Sequence, residues 1–145
     1  MALGGGTWAV PTDDAIEGAL EKVRGLIVRG GGDLLVFDAV PRGPESGQRF
    51  ASLYTDGIEA QWQEFLADCG KYRVELEHET SIKKFTLAEL EEEEHSLERL
   101  QRWHERIAAR DLYGAASAGV AARRLKECTK HLEVYARRVY RAVGQ

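Results

Sequence analysis

The chain has 145 residues, 43% hydrophobic and 30% charged, with only three prolines. That length supports one domain with a core of its own, and that composition excludes disorder and collagen-like repeats. The formal net charge of −4 does not advertise nucleic-acid binding, and no apolar run approaches the roughly 20 residues of a membrane span.

The opening MALGGGTWAV lacks the charged and apolar regions of a secretory leader. Two cysteines, Cys69 and Cys128, have neither metal-ligand spacing nor a disulfide framework around them. The expectation is a reduced, cytoplasmic chain with no membrane partner. The net charge hides a gradient. Residues 1–50 carry seven acids and five bases, for −2. Residues 51–100 carry thirteen acids and five bases, for −8, and residues 101–145 carry four acids and ten bases, for +6. Either oppositely charged helices lie side by side, or a basic face meets an anion such as nucleic-acid phosphate, an inorganic oxyanion or an acidic partner.

Residues 7–10 (TWAV) read as a short strand between a glycine triplet and Pro11. Thr12 is a candidate N-cap, with Asp13 and Asp14 in the first helical turn, where the peptide dipoles favour negative charge. Ile16, Leu20, Val23 and Ile27 then mark one apolar helical face. Gly30, Gly31 and Gly32 end that helix. Residues 33–40 (DLLVFDAV) are too short for a typical helix and rich in branched and aromatic residues, so a buried strand is expected. Residues 1–40 thus read as a β-α-β fragment, and residues 41–47 (PRGPESG) as a linker.

Residues 48–145 contain no proline and read as a helical bundle. A short helix around residues 48–55 precedes a long one. Ile58, Trp62, Phe65, Cys69, Tyr72 and Leu76 alternate four-residue and three-residue steps, the seam of a helix packed lengthwise on others. Thr86 and Glu89 have the spacing of a capping box, with Phe85 and Leu90 as its hydrophobic flanks. The helix they start continues through Leu90, Glu93, Leu97, Leu100, His104 and Ile107, and breaks at Asp111 to Gly114. Ser117 is placed to cap the last helix, whose seam is Ala121, Leu125, Cys128, Leu132, Tyr135 and Val139. The expected fold class is α+β, mostly α: a small, incomplete ferredoxin-like unit followed by an antiparallel three-helix bundle.

Few residues suggest chemistry. The glycine triplets do not follow a strand and open a helix, as a phosphate cradle does, and read as turns. Glu93 and His104 interrupt an apolar seam but lie three turns apart, about 16 Å, too far to share a metal on one helix. The two cysteines fall on apolar seams and read as small buried hydrophobes. No Ser-His-Asp or Cys-His pattern appears, so no enzyme, no cofactor and no metal is expected. Arg123, Lys126, Lys130, Arg137 and Arg141 form a basic stripe that flanks the last seam. Such a stripe either pairs with the acidic helices or binds phosphate or a tetrahedral oxyanion through charge-assisted hydrogen bonds.

The run from Lys84 to Glu92 (KFTLAELEE), then Leu97, Leu100 and Trp103, then the run from Ile107 to Ala115 (IAARDLYGA), resembles the helical part of the N-terminal domain of ChrB-type chromate-resistance regulators. The GTWAVP and GGDLLV segments near the front are similar to strands of that family. The resemblance implies a bacterial cytoplasmic protein acting as a chromate-responsive transcriptional regulator, without catalysis. It places Arg110, Asp111 and Gly114 in one family motif and Phe85, Thr86 and Glu89 in the other. The cap and turn residues read as structural, and Arg110 with Asp111 as a structural pair or an effector or partner surface. The family domain begins with an apolar strand and a basic helix, and this chain starts at the following strand. The expectation is an upstream start, whose basic helix would contact DNA, or a homodimer in which a second copy completes the sheet. The alternative reading is a helical dimerisation module without DNA or effector binding of its own.

Overall fold

The computed structural model describes residues 1–144. Strands β1 (Ala2–Gly4) and β2 (Thr7–Trp8) precede helices α1 (Asp14–Arg29), α2 (Pro44–Ser81), α3 (Leu87–Arg110) and α4 (Ala118–Val143). The class is α+β, mostly α, as the periodicity indicates.

The β layer differs from the expected β-α-β unit. Its two strands form an antiparallel hairpin, turned by Gly4, Gly5 and Gly6, all at positive φ. Residues 33–40 form no strand. Their branched side chains favour a pleated, half-buried surface, and no neighbouring edge supplies one. An extended segment without a ladder leaves its N–H and C=O groups to water, so it stays irregular. Phe37 and Val40 accordingly remain 83% and 91% exposed.

Helix α1 is capped by Asp13 rather than Thr12: the Asp13 carboxylate accepts from the Ala15 N–H at 2.9 Å. It ends in a Schellman turn, in which Gly32 N–H reaches Ile27 O at 2.9 Å and Gly31 N–H reaches Val28 O at 3.0 Å. Gly31 takes the left-handed conformation this turn demands, with φ 79°. The apolar face of α1 buries no residue fully, because among the described residues it touches only α3. Helix α2 begins at Pro44, so the end of the sequence-defined linker and the short helix at 48–55 belong to it. Proline suits a first helical position, where its missing N–H costs nothing.

The core lies between α2, α3 and α4 and is built from the three predicted seams. All six α2 seam residues are buried, joined by Tyr54. On α3 the buried residues are Leu90, Glu93, Leu97, Leu100 and Ile107; on α4 they are Ala121, Cys128, Leu132, Tyr135 and Val139. The two seam exceptions, His104 and Leu125, are partly buried. Cross-links fix the helix directions. Tyr54 OH donates to Arg110 O at 2.9 Å and Tyr72 OH to Glu93 O at 3.1 Å, so α2 and α3 run antiparallel. Glu59 meets Ser117, Cys69 meets Cys128, and Tyr135 OH donates to Lys84 O at 2.5 Å, so α4 returns parallel to α2.

Candidate functional site

The two family-like motifs lie in the two turns that close the bundle. In the first, α2 ends on a Schellman turn with Lys83 at φ 54°, a conformation that branched and long side chains adopt at a cost. Thr86 then caps α3, its hydroxyl accepting from Glu89 N–H at 3.2 Å. The other half of the expected box is replaced by an ion pair: the Glu89 carboxylate lies 2.5 Å from Lys84 Nζ, which also faces Glu79 at 3.7 Å. Phe85 packs on Tyr135 with ring centroids 5.8 Å apart, docking this turn on α4.

In the second turn, Asp111 holds two elements together. Its Oδ2 accepts from Trp62 Nε1 at 2.9 Å and its Oδ1 from Ala115 N–H at 2.8 Å. Gly114, at φ 75°, lets the chain turn between them. Arg110 gives its Nε–H to Arg106 O at 3.1 Å, and its own carbonyl accepts from Tyr54. Glu59, which no sequence motif marks, completes this end. It accepts from Ser117 N–H at 3.0 Å and from the Ser117 hydroxyl, placing a carboxylate from α2 at the N-terminus of α4. The Ser117 hydrogen bonds hold its carboxyl below the usual glutamate value. Ser117 therefore makes no side-chain cap of its own.

The basic residues occupy the opposite side of α4 from its seam. At about 100° per residue, Arg123, Lys126, Lys130, Arg137 and Arg141 fall within one narrow arc pointing away from the bundle, rather than beside the seam. All five are exposed. Among the described residues none of them forms an ion pair, and the acidic residues of α2 and α3 pair locally or with Lys84 instead. The distance from Arg123 to Arg141 along the helix is about 27 Å at 1.5 Å per residue. Such a row can hold an extended polyanion by several charge-assisted contacts.

Three other features were less legible in the sequence. An open groove of about 500 Å³ between α2 and α3 is lined by Lys71, Ser96, Arg99, Trp103 and Arg106, with Asp68 and Glu75 of opposite charge. His104 packs against Trp62 and Phe65, with ring centroids 5.0 and 5.5 Å away, and burial lowers its pKa. Cys69 and Cys128, read separately as buried hydrophobes, meet across α2 and α4. Among the described residues no cluster of three or more His, Cys, Asp or Glu could hold a metal ion, and no helix is long and apolar enough to cross a membrane.

The family profile for the N-terminal part of protein ChrB matches residues 1–145. The chain belongs to the ChrB N-terminal family. This makes it a regulatory domain associated with chromate resistance. The KFTLAELEE and IAARDLYGA segments lie at the two ends of α3. No curated protein matches the chain, and no solved structure does. In this fold Thr86, Glu89 and Asp111 of the two motifs spend their polar groups on caps and turns. The outward face of α4 is a charged surface that these turns do not use.

Proposed function

We propose that this ChrB-type domain takes part in chromate-responsive transcriptional regulation in the cytoplasm, without catalysis, and that the outward face of α4 is its anion contact. The observation that carries this reading is the row of five exposed and unpaired cations. A row of about 27 Å matches roughly eight base pairs of duplex, whereas a single tetrahedral dianion touches two or three of these side chains at once. DNA backbone is thus the better-fitting anion, and chromate, as a tetrahedral oxyanion effector, competes for a subset of the same cations.

The test is fluorescence anisotropy of the full chain on a duplex from the promoter of its own operon, against salt and chromate. Five phosphate contacts give a slope of log K on log salt of about −4.5, and the double substitution K126E/K130E flattens it by about 2. Absence of binding at low salt, or unchanged binding by the double variant, refutes the reading. Direct sensing adds a second arm: millimolar chromate or sulfate raises Tm, since a ligand of the folded state alone stabilises it. An unshifted Tm removes direct sensing.

A second reading, a homodimerisation module, is favoured by the apolar side chains that residues 1–43 leave in solvent, among them Trp8, Leu26, Phe37 and Val40. It predicts a salt-insensitive dimer in sedimentation and no retention on promoter DNA.

A further inference from the structure

The two cysteines lie one on each of two facing helices, 59 residues apart in sequence. Cys128 Sγ is 3.7 Å from the Cys69 carbonyl oxygen, to which its S–H donates. The two thiols neighbour each other closely enough to perturb one another's ionisation. Both residues are 2–3% exposed, at the floor of a small cleft between α2 and α4. The cleft has a volume of about 10 Å³, room for one water-sized molecule. Its walls are Arg73, Arg124, Glu127 and His131, and its side at Gly70 is bare: a Cβ there would meet nothing within 4 Å. The His131 Nδ1 is buried and makes no hydrogen bond.

We propose that Cys69 and Cys128 form an oxidisable dithiol, which a small peroxide converts to an intramolecular disulfide stapling α2 to α4. The two sulfurs have different roles. Cys128 is the nucleophile: the neighbouring Cys69 thiol lowers its pKa, and Arg73 and Arg124, which line the cleft, act in the same direction against burial and Glu127, which raise it. Cys69 is the resolving thiol, its pKa pushed up by the neighbouring Cys128 and by burial. In the first step the Cys128 thiolate attacks one peroxide oxygen. The S–O bond forms, the O–O bond breaks, and the leaving hydroxide takes a proton to become water. In the second step the Cys69 thiol attacks the Cys128 sulfur and releases its proton. The S–S bond forms, the S–O bond breaks, and the departing hydroxide recovers that proton as a second water. Two thiols lose two electrons in all, and one peroxide gains them.

The small cleft explains the choice of oxidant. Hydrogen peroxide has only two heavy atoms, so it needs the least widening of the cleft, while bulky disulfide reagents and chromate need more. The site is independent of the anion contact on α4, since Cys128 lies on the seam and the basic row faces outward.

The test uses the reduced full chain treated with hydrogen peroxide at near-equimolar dose. The expected product is an internal disulfide, seen as one linked peptide pair containing Cys69 and Cys128 in a non-reducing digest. Closing so long a loop raises Tm by roughly 10 °C, reversed by a thiol reductant. In C69S, Cys128 accumulates as a sulfenic acid, read as a gain of one oxygen in the intact mass; in C128S, Cys69 stays unreacted. Two free thiols with an unshifted Tm after treatment overturn the proposal, as do links between molecules with none inside. The wild-type peptide map decides alone if either substitution unfolds the bundle.

Discussion

Glu93 is 4% exposed in the α3 seam, and its Oε2 has no hydrogen-bond partner. Burial first, then the charges of Glu75 and Glu79 from α2 and of Glu89 and Glu92 from α3, push its carboxyl up to about 7 from a usual 4.5. The folded state therefore holds this proton more tightly than the unfolded chain does. The contribution to stability is complete below about pH 4.5, declines as pH rises toward about 7, and levels off above that. The gap corresponds to roughly 3 kcal/mol at about 1.4 kcal/mol per pH unit. Glu93→Gln keeps the shape and removes the charge. Its stability should stay flat where the wild type falls, exceeding the wild type by as much as ~3 kcal/mol at about pH 8. In a chain of this size that is roughly 10 °C in Tm. Urea unfolding of both proteins between about pH 5 and about pH 8 measures it. A variant that retains the wild-type pH slope, or that loses the same stability at every pH, refutes the reasoning.

Asp111→Ala leaves the Trp62 indole N–H and the Ala115 N–H without acceptors and should cost about 3 kcal/mol in urea unfolding. Adding Trp62→Phe should cost less in that background than in the wild type, because one of the two donors is already orphaned. Lys83→Gly relieves the left-handed conformation at the end of α2 and should stabilise by about 1 kcal/mol. Thr86→Ala removes the α3 cap and should destabilise by about 1 kcal/mol. Equilibrium denaturation checks each of these.

The seams were legible because helical burial repeats with the helix itself. A residue on the inward stripe of α2, α3 or α4 is fixed by spacing alone, which is why Phe65, Ile107 and Val139 are fully buried where periodicity places them. The caps and turns were legible for a similar reason: Thr86 and Gly114 act on their own neighbours in sequence. The strand at 33–40 was misread because a strand needs a partner, and sequence pattern reports only the side chains that would suit one.

Local order, the three rods and their inward faces were thus decided by the sequence, through interactions spanning a few residues. Which groups meet across the rods was decided only by the tertiary fold. Glu59 at the head of α4, Asp111 under Trp62, Cys69 against Cys128 and the unpaired outward cations all depend on relative helix rotation and offset. Those quantities follow from close packing of whole surfaces, which no short window of sequence contains.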